Sequence, residues 1–158
     1  MAAVYSLHRI QLIPSAPDLV WSFFSDPTGL PLITPPAMRF QVLTPDLPGG
    51  IYAGQLIEYR LRPFPWMPVH WLTEITHVAE GRYFVDEQRR GPYSLWHHQH
   101  HFKEIKGGVE MTDLVHYRLP FGIFGRCAHA LLVRRQLDEL FRYRRQCIEE
   151  RLGVWQSA

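Results

Sequence analysis

From Met38 to Leu119 the chain is a run of strand-length segments, and from about Gly125 to Leu152 it is one long amphipathic pattern. This order, consecutive strands followed by a single helix, constrains the fold more than any other feature. MRFQVL, IYAGQLIEYRLR, VHWLTEITHV, RYFVDEQRR, SLWHHQHHFKEI and VEMTDLVHYRLP are rich in β-branched, aromatic and aliphatic residues. DLPGG, the proline-rich bend PFPWMP, Glu80-Gly81, Gly91-Pro92 and Lys106-Gly107-Gly108 separate them as turns. In the last segment Val133, Leu137, Leu140, Phe141, Ile148 and Leu152 recur at helical spacing, and Gly153 is a stop signal. A meander followed by one amphipathic helix buries both apolar faces by curving the sheet around the helix.

The first residues complete the pattern. VYSLHRIQLI reads as a strand ended by Pro14. SAPDLVWSFFSDP reads as a short helix with Pro17 in its first turn and Asp26-Pro27 at its end. TGLPLITPP reads as a second helical turn closed by Pro35-Pro36. The expected class is therefore α+β: a curved antiparallel sheet of about six or seven strands, two short helices after the first strand, and a long C-terminal helix. At 158 residues, with no repeat or linker, residues 1–158 are expected to form one domain.

Charge excludes some functions. A net charge of +2 gives no electrostatic footprint for nucleic acid. The basic residues in VRRQLDELFRYRRQ alternate with Asp138, Glu139, Glu149 and Glu150, which predicts a solvated helix face. Cys127 and Cys147 lie 20 residues apart on the predicted helix. That separation is about 30 Å at the helical rise, so they are not expected to pair. With no signal-like start and no apolar run of membrane-spanning length, the expectation is a cytoplasmic protein without stable membrane insertion.

The stretch GPYSLWHHQHHF holds four histidines in five residues, His97, His98, His100 and His101. Strand alternation puts Trp96, His98, His100 and Phe102 on one face, and Leu95, His97, Gln99, His101 and Lys103 on the other. The flanking rings mark the first set as inward. On the next segment Asp113 interrupts the apolar face of Val109, Met111, Val115, Tyr117 and Leu119. On RYFVDEQRR, Phe84, Asp86 and Gln88 are taken as inward in preference to Tyr83, Val85 and Glu87. Buried polar groups cost a few kcal/mol each unless they are hydrogen-bonded. A mutually satisfied His–Asp–Gln network is the plainest account of the set. A polar end to a ligand pocket is the functional one.

The segments FFSDPTGLPLITPP and FVDEQRRGPYSLWHHQHHF…GGVEMTDLVHYRLPFG, in this element order, resemble the SRPBCC superfamily. This helix-grip group includes START lipid-transfer domains, plant pathogenesis-related allergens and aromatic polyketide cyclases; the chain is most similar to its small bacterial single-domain members. The resemblance implies the helix-grip fold, with a deep, largely apolar cavity between helix and sheet. It implies no catalytic signature that maps onto these residues, and no cofactor.

Within such a cavity Tyr59, Trp71, Phe84, Trp96, Phe102 and Tyr117 would supply walls. Asp86, Gln88, His98, His100 and Asp113 would orient a hydrophobic or aromatic small molecule, lipid or polyketide-like. The alternative is a cyclase or dehydratase in which His98, His100 or Asp113 acts as general base; binding without turnover is favoured. His98-x-His100 has chelating spacing, with Asp113 or Asp86 as third ligand. No third histidine shares the face, and no metal is expected. The resemblance in fold alone suggests a lipid-transfer or membrane-surface role; FGIFG after Pro120 reads either as an apolar loop that moves at the pocket mouth to admit ligand or as a packed turn. An edge strand of the sheet would be the surface for a homodimer.

Overall fold

The computed structural model describes residues 3–47 and 49–156; Pro48, inside the predicted DLPGG turn, lies outside them. Seven antiparallel strands form one sheet: β1 (Tyr5–Ile13), β2 (Gln41–Val42), β3 (Gln55–Phe64), β4 (Met67–Ala79), β5 (Tyr83–Arg90), β6 (Leu95–Ile105) and β7 (Gly108–Arg118). Their spatial order is β1-β7-β6-β5-β4-β3-β2. Strands β2 to β7 follow one another as neighbours, and β1 returns to pair with β7 from Tyr5↔Tyr117 to Ile13↔Val109. Helix α1 (Pro17–Phe24) and 3₁₀ segments at Pro27–Ile33 and Pro36–Met38 connect β1 to β2. After β7, α2 (Gly122–Ala128) passes through a π-helical turn (His129–Val133) into α3 (Arg134–Leu152). This is the predicted α+β helix-grip architecture.

Local chemistry explains the boundaries. Pro17 occupies the first turn of α1, where its missing N–H costs nothing. The Asp26 side chain accepts a hydrogen bond from Thr28 N at 2.9 Å and starts the 3₁₀ segment. The strand expected over MRFQVL is reduced to two residues because Pro36–Met38 coils and Arg39 takes a left-handed conformation. The bend expected over PFPWMP is confined to Pro65 and Trp66, since Pro63 and Pro68 sit within strands whose ladder they interrupt. At the other end, a Cβ on Gly108 would stand 2.0 Å from Ile13 O, so only glycine lets β7 start against β1.

The concave face buries Ile13, Val109, Met111 and Val115 from β1 and β7, and Ile57 and Ile75 from β3 and β4. Ile148 and Leu152 of α3 pack with Ile13, Val109 and Met111 under α1, while Leu137 and Phe141 pack with Trp96, Val115 and Tyr117. Two polar ties fix the helix on the sheet: Ser15 Oγ donates to Leu152 O at 2.6 Å, and Gln11 Nε2 donates to Arg145 O at 3.1 Å. Both cysteines are free. Among the described residues no helix is long and apolar enough to cross a membrane.

FGIFG is not a loop. Phe121 precedes α2, and residues 122–125 form its first turn, with Phe121 and Phe124 81% and 78% exposed. Gly125 serves close packing, because a Cβ there would lie 2.1 Å from Pro120 O.

Candidate functional site

Sheet and helix do not meet everywhere. Between α3, the 3₁₀ segments and the inner faces of β3 to β6 lies a half-enclosed cavity of about 170 Å³. Its walls are mostly apolar: Leu30, Ile33, Met38 and Phe40 on one side, Ile57, Tyr59, Leu61, Trp71 and Ile75 along the sheet, and Leu137, Leu140 and Phe141 beneath the helix. Gln136 of α3 donates to Pro63 O and holds the helix to the end of β3 beside this space.

The polar groups gather on the three strands β5, β6 and β7. Asp86 pairs in register with His98, and His100 with Asp113. Cross-strand partners share a face, so the ladder itself brings two carboxylates and two imidazoles together. His98 Nε2 lies 2.9 Å from Asp113 Oδ1, and His100 Nε2 lies 2.9 Å from Asp86 Oδ2. His98 Nδ1 is 3.6 Å from Asp86 Oδ2. His100 Nδ1 is 2.9 Å from Asp113 Oδ1, but off the hydrogen-bonding line, so that contact is ionic. The two imidazole centroids are 3.8 Å apart, and His100 stacks on Phe84 at 4.1 Å.

This cluster sorts its protons. Burial pushes the His98 pKa down, helped by the charge of His100, and His98 stays neutral. Burial also opposes charge on His100, but its contacts with Asp113 and Asp86 outweigh that and raise its pKa. Burial would raise both carboxyls; instead the paired histidines hold Asp86 and Asp113 below the ordinary carboxylate range.

Arg144 completes the set, and reasoning from sequence misses it. It belongs to the basic run assigned to a solvated helix face, yet it is only 9% exposed and lines the cavity. Its guanidinium carbon lies 5.1 Å from the Phe141 ring centre, and its Nε has no hydrogen-bond partner among the described residues. Burial pulls its pKa down and the charges of Asp113 and Asp86 pull it back. The signal is present: Leu137, Phe141, Arg144 and Ile148 repeat at intervals of four, three and four, so Arg144 sits in the middle of the apolar stripe.

Of the residues expected to line a pocket, Tyr59, Trp71, Phe84, Asp86, Trp96, His98 and His100 do so. Four stand elsewhere. Asp113 lies behind the two histidines. Phe102 packs against Trp21 and Phe24 of α1. Tyr117 turns to the π-helical segment, with its hydroxyl 2.8 Å from His129 Nε2. Gln88 folds back on Tyr93, a cavity residue that strand alternation does not assign, whose ring lies 4.8 Å from that of Trp96.

No family model and no curated protein sequence matches the chain. Solved structures do. A protein of Chromobacterium violaceum is similar with a TM-score of 0.71 and 12% identity, over 95% of this chain and 98% of that one. Major latex-like protein 151 of Panax ginseng has a TM-score of 0.68 and 13% identity, over 94% and 97%. Norcoclaurine synthase of Thalictrum, as a point mutant in complex with a transition-state analogue, has a TM-score of 0.65 and 13% identity, over 95% and 97%. With the sheet order, the long helix and the cavity between them, these likenesses establish that the chain has the helix-grip fold.

Proposed function

We propose that the protein binds a compact hydrophobic molecule, aromatic or polyketide-like, in the cavity, and that Arg144 receives an anionic or strongly accepting oxygen on it. The observation that carries this is a buried guanidinium lacking a partner at Nε on the wall of a mostly apolar cavity. A buried unpaired polar group costs about 1–3 kcal/mol, and a ligand oxygen would recover it. A cavity of about 170 Å³ compares with the roughly 150 Å³ that admits a benzene ring, which favours a compact ring system over a long acyl chain. A cyclase or dehydratase has weaker support. Both nitrogens of His98 and both of His100 face carboxylate oxygens, so no imidazole lone pair is turned towards a substrate proton.

Native mass spectrometry of freshly purified protein, followed by denaturing analysis of released molecules, tests this reading. A compact one- or two-ring compound bearing a carboxylate, phenolate or enolate is expected. Quenching of Trp71 and Trp96 fluorescence by aromatic carboxylates is the matching measurement in solution. Thr73 of β4 also lines the cavity; if no compound quenches, or if Thr73→Trp, which fills that space, binds equally well, the reading fails.

A further inference from the structure

We propose that Asp86, His98 and His100 form a binding site for a divalent first-row transition-metal ion of the zinc or ferrous class, on the wall of the same cavity. One donor atom from each of the three lies within 4.8 Å of the other two. Asp86 Oδ2 is the hub, 2.9 Å from His100 Nε2 and 3.6 Å from His98 Nδ1. Ligands about 2.1 Å from a metal stand roughly 3.0–3.4 Å from one another; the two spacings to the hub bracket that range, and the two histidine nitrogens lie within 4.8 Å of each other. Two imidazoles and one carboxylate leave coordination positions open, and all three side chains face the cavity.

The second carboxylate separates this arrangement from an ordinary buried ion-pair network. Asp113 Oδ1 stands 2.9 Å from His98 Nε2 and 2.9 Å from His100 Nδ1, the nitrogens turned away from Asp86. Each imidazole thus has one nitrogen towards the hub and the other towards Asp113. Metal-bound histidines are commonly oriented by a remote N–H on a carboxylate; His98 Nε2 makes that hydrogen bond to Asp113, and His100 Nδ1 meets the same oxygen as an ionic contact. The four groups sit on adjacent strands in cross-strand register, so the set is held by the ladder and not by loops. Charge also fits. Asp86 and Asp113 bring two negative charges to Arg144, and a divalent ion would leave a net positive site open to an anionic ligand atom.

The test is cobalt(II) titration of chelator-treated protein, followed by optical absorption, with zinc(II) as competitor. The expected result is a one-to-one complex with ligand-field bands of low-symmetry nitrogen and oxygen coordination, abolished by zinc(II). Asp113→Asn should weaken cobalt binding by about 10–100-fold, and Asp86→Asn should remove it. His97, His101 and His116 lie on other surfaces of the same strands, and the triple variant His97→Gln, His101→Gln, His116→Gln should keep the complex. Loss of the complex in that triple variant overturns the proposal, as does the absence of ligand-field bands in the wild type. Both of these readouts are independent of whether Asp86→Asn folds. Aromatic carboxylate binding is measured on metal-free protein, so failure here is distinct from failure of the cavity reading.

Discussion

Gln88 grips both backbone polar groups of Tyr93: its Nε2 donates to Tyr93 O at 2.6 Å and its Oε1 accepts from Tyr93 N at 3.2 Å. One side chain thereby closes the turn between β5 and β6 and holds the Tyr93 ring against Trp71 and Trp96, at 5.6 and 4.8 Å. Gly91 leaves room for this, since a Cβ there would stand 2.4 Å from Gln88 Oε1. Gln88→Leu should cost about 1–3 kcal/mol by leaving the turn's amide and carbonyl without partners. It should also shift the tryptophan emission and weaken cavity binding. Urea unfolding together with fluorescence checks both; unchanged emission would mean that the turn holds Tyr93 without Gln88.

Gly125 sets the approach of α2 to the end of β7. Gly125→Ala drives a methyl group into Pro120 O, and overpacking of this kind costs about 1–3 kcal/mol. A lower thermal midpoint with unchanged ligand affinity is expected, because no residue of 121–125 lines the cavity. A change in the rate of ligand entry in this variant would restore the mobile-loop reading of FGIFG.

The order of elements was legible because strand alternation and helical spacing are both strong between β3 and α3. The inward set Trp96, His98, His100 and Phe102 followed from alternation and from the two rings that bracket it, and all four are buried. What alternation cannot supply is depth. It puts Asp113 and Phe102 on the correct face, but the first lies behind the histidines and the second under α1, because the sheet curves and α1 covers one end. The wall made by the 3₁₀ segments, with Leu30 and Ile33, was illegible for a different reason. Proline-rich turns have no periodicity that assigns a facing. Arg144 was hidden by composition, since a charged run reads as solvated until its spacing is compared with that of its apolar neighbours.

His129 offers a pH test away from the cavity. Its ring stacks on Tyr5 at 3.5 Å and its Nε2 lies 2.8 Å from the Tyr117 hydroxyl. Burial, and then the charge of Arg134, lower its pKa below the ordinary histidine value. The unfolded chain therefore takes up the proton first. The contribution of neutral His129 is complete above the unfolded value of about 6.5 and is lost as pH falls below it. His98 contributes with the same sign and His100 with the opposite one, so the difference between wild type and His129→Phe isolates this residue. The unfolding free energy at pH 7.5 minus that at pH 5.5 should be less positive in His129→Phe than in wild type. An identical pH dependence in the two proteins would rule out the buried neutral imidazole.

Arg144 separates stability from binding. Burial is the largest influence on its charge, ahead of the attraction of Asp113 and Asp86, and Asp113 and Asp86 each retain a histidine partner without it. A buried polar group without a partner, as Arg144 Nε is here, costs about 1–3 kcal/mol, and an apolar side chain of similar volume relieves that cost. Arg144→Met should therefore keep or raise the thermal midpoint of the ligand-free protein. The same change should lower affinity for aromatic carboxylates by at least tenfold, about 1.4 kcal/mol, while neutral aromatic compounds of the same size bind as before. Arg144→Lys should recover only part of the loss, because an ammonium on a flexible stem cannot offer the guanidinium's two parallel donors. Equal losses for charged and neutral compounds would mean that Arg144 shapes the cavity without meeting the ligand's charge.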